Sequence, residues 1–338
     1  MYHSRNLYQS FFKQMVVWAK GNTMNILITG ASGFIGSYLV KDLLDQGHNL
    51  ITITRKSDHD ISGTKTIIGD ITNKASLEPA FQNTIDAVIH NAAYANDYGK
   101  DPRYYKFNVQ GTRNIAELCK KYKVNHLLYT STSGIYGFPN NMIPIKESQG
   151  PTSKPFNAYG ATKIESEQVL KEYTMFKKTI FRPPMVFGAG GKPALVLLTR
   201  IKENKMAYIG RDEKTITVVH PADVAQCFRL ALEKQIEGDF NTVSFTCTIQ
   251  DLIGKSAEKL NVSPPTRHIP FFLAYLIGFF SEKLARGEPD FTRFRAIKLG
   301  TSRIIDGTKA QEILGFKPKY DLDKTIEDMV TWYKQLAR

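Results

Sequence analysis

A tyrosine and a lysine four residues apart, Tyr159 and Lys163, are the most chemically suggestive pair in the chain. Residues 158–173 have helical spacing, and side chains at positions i and i+4 of a helix are neighbours. The positive charge of Lys163 is expected to lower the pKa of the Tyr159 hydroxyl, which makes the phenol a candidate proton donor near neutral pH. Because the same spacing is common on surface helices, other parts of the sequence must support this interpretation.

A glycine-rich turn lies where a dinucleotide would need one, between a predicted strand at residues 25–29 and a predicted helix at 34–46. Gly30 allows a tight turn, Gly33 the close approach of a pyrophosphate, and Gly36 close packing of the helix on the strand. The N-terminus of the helix favours an anion. The residues of this turn that we predict to contact a cofactor are Gly30, Ser32, Gly33, Phe34, Ile35 and Gly36.

Short apolar runs alternate with helical patterns through the first half of the chain. The predicted strands span residues 25–29, 50–54, 66–68, 87–90, 126–130 and 179–181, and the predicted helices span 34–46, 77–81, 103–122 and 158–173. This alternation implies right-handed crossovers, and therefore an α/β fold with a Rossmann-type doubly wound parallel sheet over residues 24–182. The looser pattern of residues 183–338 predicts a smaller substrate-binding lobe, some of whose segments return to the sheet.

Further motifs follow the glycine turn in order: Gly69-Asp70, Asn91-Ala-Ala93, Asn108-Val-Gln-Gly-Thr112, Tyr129-Thr-Ser-Thr-Ser-Gly-Ile-Tyr-Gly137, Tyr159 with Lys163, and Arg182-Pro183. Together they resemble the extended short-chain dehydrogenase/reductase superfamily, also called the NAD-dependent epimerase/dehydratase family. The resemblance covers residues 24 to 335. It implies an NAD(P)-dependent enzyme in which a tyrosine acts as acid and base opposite a hydride.

The resemblance assigns catalytic roles to Thr132, Tyr159 and Lys163. Thr132 would hold the substrate oxygen against the Tyr159 proton during hydride transfer, and Lys163 would also bind the nicotinamide ribose. The further cofactor contacts that it implies are Asp70, Ile71, Ala92, Ala93, Asn108 and Pro183. Asn108 can equally be interpreted as a helix-packing residue. The candidate substrate contacts are Ser133, Tyr94 and His220.

The end of the second predicted strand bears on the choice of cofactor. An acidic residue there normally hydrogen-bonds the adenosine ribose of NAD, whereas this chain has Arg55 and Lys56 after Thr54. Arginine offers paired donors to a phosphate. We therefore favour NADP(H) over NAD(H). In the alternative interpretation Arg55 and Lys56 are solvated loop cations, and NAD(H) is accepted.

Two departures from the family patterns bear on the reaction. Ser133-Gly134 follows Thr132 where dehydratases place Asp-Glu, so we do not expect dehydration. Ile216 and Thr217 occupy positions where sugar-nucleotide epimerases carry Arg-Asp, whose arginine grips the substrate diphosphate. Lys214 or Arg211 is a possible substitute for that arginine.

The C-terminal half resembles the branch that contains 3β-hydroxysteroid dehydrogenases and dihydroflavonol reductases, through residues 269–274 and 306–310. The favoured function is interconversion of a secondary alcohol and a ketone, and the alternative is a nucleotide-sugar epimerase with tightly bound NAD. A non-catalytic dinucleotide sensor is a third hypothesis. The apolar run 271–280 is interpreted first as a buried helix, then as a lid over an apolar pocket or an interfacial helix; it is too short to span a membrane.

Bulk properties narrow the class of protein further. The formal net charge of +13 is spread along the chain, which favours solvated charge or an anionic ligand over nucleic acid. The odd cysteine count of 3 argues against a disulfide framework, and we expect a cytoplasmic protein. Neither His90 nor His220 has the partner spacing of a metal site. We also expect a homodimer through helices 103–122 and 158–173, and a mistaken start site that makes residues 1–23 an extension.

Overall fold

A computed structural model describes residues 23–336, apart from residues 56–59, 97, 100, 286 and 288. The expectation for the N-terminal extension falls outside these residues. Within them the strands, numbered in chain order, are β1 Asn25–Thr29, β2 Asn49–Thr54, β3 Lys65–Ile68, β4 Ala87–His90, β5 His126–Thr130, β6 Lys177–Arg182, β7 Met185–Val186, β8 Tyr208–Ile209, β9 Thr215–Val219, β10 Gly238–Asn241, β11 Phe245–Thr248 and β12 His268–Ile269.

The α-helices, also in chain order, are α1 Phe34–Asp45, α2 Lys74–Phe81, α3 Gly111–Lys121, α4 Ala158–Lys171, α5 Lys192–Lys202, α6 Pro221–Glu233, α7 Ile249–Lys259, α8 Phe271–Leu284, α9 Arg293–Gly300, α10 Thr308–Leu314 and α11 Leu322–Leu336. A π-helix, Tyr104–Gln110, runs directly into α3, and short 3₁₀ helices span Ser133–Tyr136 and Glu147–Gln149. None of the helices in the described ranges has the length and apolar character needed to cross a membrane.

Seven strands form the central sheet in the order β10-β6-β5-β4-β1-β2-β3, and every neighbouring pair is parallel. The chain starts at the middle of the sheet and winds outward in both directions, which confirms the predicted doubly wound fold. The order reverses between β1 and β4, and in open α/β sheets ligands bind at such a switch point, beyond the carboxyl ends of the strands.

Part of the second half of the chain packs with the first half. Strand β10 extends the main sheet beside β6, and α6 lies against α1. Phe228 of α6 and Phe240 of β10 share one buried cluster with Ile26 and Leu39 from the nucleotide-binding half. Side chains of α5, α7, α11 and β9 form a second buried cluster. The two halves are therefore joined through a common core.

The apolar segment 271–280 does form a helix, but the interpretation of that helix as buried was wrong. In α8 only Ala274 and Gly278 are buried, while Phe272 is 71% exposed and Phe280 is 54% exposed. Helix α8 packs on α9 through its small residues, and a Cβ at Gly278 would overlap the backbone of Arg293. Since this contact covers one side of a helix that is apolar on several sides, large side chains are left on the surface.

A buried ion pair ties the central sheet to the helix that carries the predicted catalytic residues. Arg182, at the end of β6, donates to the Glu167 carboxylate of α4 at 3.0 Å from Nε and 2.7 Å from a terminal nitrogen. Both side chains are almost completely buried. Arg182 also contacts Asp239 of β10 at 2.6 Å. One guanidinium therefore fixes β6, α4 and β10 relative to one another.

Removal of this guanidinium should cost far more stability than removal of a surface one. We expect Arg182→Met to lower the free energy of unfolding by about 3–5 kcal/mol, because Glu167 is left as a buried charge without its partner. Arg113→Met is the matched control, since Arg113 pairs with Glu172 at the surface and such pairs contribute about 0–1 kcal/mol. Denaturant unfolding of both variants gives the comparison, and equal losses would contradict the structural role of the buried pair.

Candidate active site

The Lys163 ammonium lies inside the protein at the carboxyl end of β5. The residue is 1% exposed, and its Nζ donates to the Tyr129 hydroxyl at 3.0 Å and to the Thr130 carbonyl at 2.7 Å. Burial lowers the pKa of Lys163, while the nearby Tyr159 and Glu167 oppose that shift. Nζ is 5.9 Å from the centre of the Tyr159 ring, so the ammonium and the phenol share one local environment.

Helix α4 brings Tyr159 and Lys163 together because its start is fixed. The Asn157 side chain caps the helix by accepting from the backbone N–H of Gly160 at 2.9 Å. Tyr159 therefore stands in the first turn and Lys163 one turn later on the same face, as the sequence spacing predicts. The Tyr159 side chain is half-buried, whereas Lys163 is enclosed.

The two hydroxyl residues that follow β5, Ser131 and Thr132, have different surroundings. The Ser131 hydroxyl donates to buried Glu167 at 2.5 Å, so it belongs to the ion-pair network of Arg182. Thr132 Oγ1 accepts from the backbone N–H of Gly134 at 3.0 Å, which fixes the Thr132 side chain at the start of a 3₁₀ turn. The backbone N–H of Ser133 donates to the Pro183 carbonyl at 2.9 Å.

Two cavities meet at Tyr159. The first, of about 920 Å³, is lined by the glycine turn, the ends of β2 and β4, and Lys163. The second, of about 250 Å³, is lined by Thr132, Ser133 and Pro183 together with residues of the C-terminal half. Tyr159 lines both cavities. A molecule bound in the first cavity can therefore contact a molecule bound in the second cavity next to the Tyr159 side chain.

Most residues predicted to contact the cofactor line the first cavity. They are Gly30, Ser32, Gly33, Phe34, Ile35, Arg55, Ile71, Ala92, Ala93, Tyr159 and Lys163. Gly36 lies beneath the turn, where a Cβ would overlap the Gly30 carbonyl. Asp70 accepts from the backbone N–H of Thr72 at 2.8 Å and shapes the turn after β3 without lining the cavity. Lys56 falls outside the described residues.

Gly30 shows why the turn admits no side chain. Its φ of 71° lies in the left-handed region, and a Cβ there would stand 2.7 Å from the backbone nitrogen of Ala92. Helix α1 then begins at Phe34 with no side-chain cap and no acidic residue in its first turn. Its free N–H groups and positive dipole end suit a phosphate. The cradle therefore fits the pyrophosphate of a dinucleotide.

Asn108 is buried and organises the loop after β4. Its amide accepts from the backbone N–H of Tyr94 at 2.8 Å and donates to the Thr162 hydroxyl of α4 at 3.0 Å. The residue lies in the π-helix, a feature that is frequent at functional sites. Asn108 lines neither cavity, so its contacts match the helix-packing interpretation.

The three candidate substrate contacts are in different places. Ser133 lines the second cavity, and Tyr94 lines the first, with the Arg103 guanidinium 4.7 Å from its ring centre. His220 lines neither cavity, which corrects the expectation of a substrate contact. It is fully buried, caps α6 by accepting from the backbone of Ala222, and lies 3.0 Å from Asp328.

Sequence reasoning missed Arg303, a cationic residue of the second cavity. It lies beside Ile216 through a parallel backbone bridge, next to the position where the expected arginine is missing. Arg211, one of the two suggested substitutes, is exposed, and Lys214 pairs with Asp212 at 3.8 Å. Neither lines the second cavity. Residues 216 and 303 are far apart in the sequence and meet only in the folded protein, so local sequence spacing could not indicate that Arg303 lines this cavity.

A glycine-turn cleft adjoins a smaller pocket, with a tyrosine at their junction and a buried lysine in the cleft, and this arrangement is typical of a nicotinamide-dependent enzyme. The chain belongs to the NAD dependent epimerase/dehydratase family, whose family model matches residues 26–242. It is an enzyme of the extended short-chain type, as the sequence motifs predicted. Among the described residues, no group of three or more His, Cys, Asp or Glu side chains could hold a metal ion.

Relatives in this family carry out more than one reaction. The 2-alkyl-3-oxoalkanoate reductase of Stenotrophomonas maltophilia is 27% identical, over 90% of this chain and 97% of the relative. The UDP-glucose 4-epimerase of Streptococcus mutans is 28% identical, over 93% and 98%. The solved structure of Bordetella bronchiseptica WbmG in complex with NAD and UDP is 25% identical, covers 94% of this chain and 96% of its own, and has a TM-score of 0.74.

Closing the glycine cradle should weaken dinucleotide binding. Gly30→Ala adds a methyl group against the backbone of Ala92, and we expect cofactor affinity to fall more than 10-fold, which is a loss of about 1.4 kcal/mol or more. Gly47→Ala is the matched control, because Gly47 also has a positive φ of 81° but has open space around its Cα. Calorimetric titration with NADPH and NADH measures both variants. Unchanged affinity in Gly30→Ala would contradict the assigned cradle.

Proposed function

We propose that this protein is an NADP(H)-preferring oxidoreductase that interconverts a secondary alcohol and a ketone. The observation that carries the proposal is the position of Tyr159 at the junction of the two cavities. A bound nicotinamide dinucleotide would supply or accept the hydride at the ketone carbon. The substrate oxygen would then lie in the second cavity, within reach of both Tyr159 and Thr132.

Proton transfer is carried out by side chains of the protein. In the reductive direction the Tyr159 hydroxyl donates its proton to the carbonyl oxygen as the hydride reaches the carbon, and it takes a proton back from the alcohol in the oxidative direction. The Thr132 hydroxyl donates a hydrogen bond to the same oxygen and orients the carbonyl. The Lys163 ammonium stabilises the phenolate that remains after proton transfer.

The tyrosine hydroxyl should be required for turnover but not for binding. We expect Tyr159→Phe to lower kcat by about 10²–10⁴-fold, the usual contribution of a positioned acid, while the Kd for NADPH stays within about 2-fold. Tyr105→Phe is the matched control, since Tyr105 is 53% exposed and lines neither cavity. Steady-state reduction of a ketone panel, with fluorescence titration of NADPH, measures both parameters. Full turnover by Tyr159→Phe would remove the proposed mechanism.

The preference for NADP(H) is supported by the charges in the first cavity. Its lining residues include Arg55, Arg103, Lys163 and Lys192, and no aspartate or glutamate among the described residues. Arg55 follows the end of β2, where its guanidinium lies 5.5 Å from the Phe107 ring centre. A 2′-phosphate placed near this arginine gains a charge-assisted pair that NAD(H) cannot form.

Arg55 should therefore discriminate between the two cofactors. We expect wild-type protein to have a lower KM for NADPH than for NADH, and Arg55→Gln to raise the KM for NADPH by about 10- to 100-fold, the equivalent of one charged hydrogen bond. The KM for NADH serves as the internal control, because it should change little. A wild-type enzyme that uses NADH as well as or better than NADPH would reverse the assignment.

A nucleotide-sugar epimerase is the alternative function, because a UDP-glucose 4-epimerase is among the relatives. The same tyrosine and lysine would then oxidise and re-reduce one sugar carbon without net change in the cofactor. Two measurements separate the functions: release of nicotinamide dinucleotide from the purified protein on denaturation, and net change in nicotinamide absorbance during turnover. Conversion of UDP-glucose to its epimer, with tightly retained NAD and no net absorbance change, identifies an epimerase.

We further propose membership of the branch that contains 3β-hydroxysteroid dehydrogenases and dihydroflavonol reductases, a cytoplasmic location, and a homodimer formed through α3 and α4. The apolar side chains among the residues of the second cavity, including Phe138, Phe156 and Phe294, support a substrate with apolar parts. Light scattering on the purified protein tests the oligomeric state.

A further inference from the structure

The second cavity contains a guanidinium that the catalytic proposal does not use. Arg303 lines the cavity, and its Nε is buried with no hydrogen-bond partner among the described residues. One terminal nitrogen donates to the Ser133 carbonyl, and the guanidinium carbon lies 4.5 Å from the centre of the Phe138 ring. Burial lowers the pKa of Arg303 to about 10, against the opposing influence of Tyr136, so the side chain remains charged at neutral pH.

The cavity offers this charge no protein counterion. The second cation on its lining is Lys298, whose Nζ lies 5.3 Å from the Phe294 ring centre. No aspartate or glutamate lines this cavity in the described part of the chain. A buried charge without a partner is costly, and an anionic ligand would offset that cost. The charges that line the pocket therefore favour a ligand with a negative group.

The position of Arg303 is fixed close to the reacting atoms. Its backbone N–H donates to the Thr215 carbonyl of β9 at 2.8 Å, and the N–H of Ile305 donates to the Thr217 hydroxyl at 2.9 Å. Its guanidinium donates a hydrogen bond to the backbone carbonyl of Ser133. Ser133 directly follows Thr132, which is proposed to orient the substrate oxygen. An anion held by Arg303 would therefore share the second cavity with Thr132 and Tyr159, the residues proposed to contact the substrate oxygen.

We propose that Arg303 binds a carboxylate of the substrate, and that the substrates are small oxo acids and hydroxy acids with the carboxylate near the reacting carbon. The planar guanidinium matches a carboxylate in shape and charge. The cavity volume of about 250 Å³ is below the range of about 300–1,000 Å³ that is typical of small-molecule pockets, which favours a small acid over a nucleotide sugar. This inference rests on the proposed oxidoreductase function.

A matched pair of probes isolates the role of the carboxylate. Reduction of 3-oxooctanoate and of its methyl ester is measured with NADPH for the wild-type protein, Arg303→Gln, Arg303→Lys and the exposed control Arg211→Gln. We expect Arg303→Gln to lower kcat/KM for the acid by about 10- to 100-fold and to leave the ester within about 2-fold. Arg303→Lys should recover part of the loss, and Arg211→Gln should behave like the wild type.

A binding measurement separates failure of this inference from failure of the proposed function. Octanoate, which cannot be reduced here, is titrated into NADP⁺-saturated protein beside octanamide, inorganic phosphate and UDP-glucose. Wild-type protein should prefer octanoate to octanamide by at least about 10-fold, and Arg303→Gln should lose that preference. This result supports the carboxylate site even if no ketone is turned over. If the Arg303 variants do not fold, the relative affinity of the wild-type protein for octanoate and octanamide still tests the carboxylate site.

Three results would overturn the inference. The first is equal wild-type affinity for octanoate and octanamide. The second is an Arg303→Gln variant that loses the same activity on the acid and the ester while it keeps its melting temperature and NADPH affinity. The third is tighter binding of UDP-glucose or phosphate than of octanoate, lost in Arg303→Gln, which would assign the guanidinium to a phosphate.

Discussion

The buried ammonium of Lys163 is the constraint on which the site depends. A charged group in the interior is costly unless nearby polar groups compensate for its lost hydration. Here the Thr130 carbonyl and the Tyr129 hydroxyl provide that compensation at 2.7 Å and 3.0 Å. Both acceptors belong to the last two residues of β5, so the lysine can be satisfied only if α4 lies against the carboxyl end of that strand. Tyr159, one turn earlier, is thereby placed beside the dinucleotide cleft.

The surrounding architecture keeps that arrangement rigid. The Arg182 and Glu167 pair holds α4 to β6, and Asn108 joins the loop after β4 to the same helix through Thr162. Across the site, both cavities are lined by cations and by no carboxylate of the described residues. Part of the net charge of +13 is therefore concentrated where anionic ligands would bind, although the sequence shows basic residues spread along the chain.

The parts of the molecule that follow from local patterns could be predicted from the sequence. Strand and helix alternation predicts the sheet, the Gly30 motif predicts the turn between β1 and α1, and the i, i+4 spacing predicts that Tyr159 and Lys163 share one helix face. Features that depend on distant neighbours could not. His220 caps α6, which starts at the next residue, and lies beside Asp328 from α11, while α8 stays exposed because its main packing partner, α9, covers one side of it. Arg303 reaches the second cavity through a bridge to residue 216.

In the proposed function, hydride passes between a nicotinamide cofactor and a substrate carbon beside Tyr159, with net oxidation of one and reduction of the other. The most direct test uses NADPH deuterated at the transferable position of C4, incubated with the protein and a panel of ketones, with mass spectrometry of the products. The expected product is an alcohol that carries the deuterium, formed in the same amount as NADP⁺. Turnover of a nucleotide sugar with no deuterium in any released alcohol and no net NADP⁺ would contradict it.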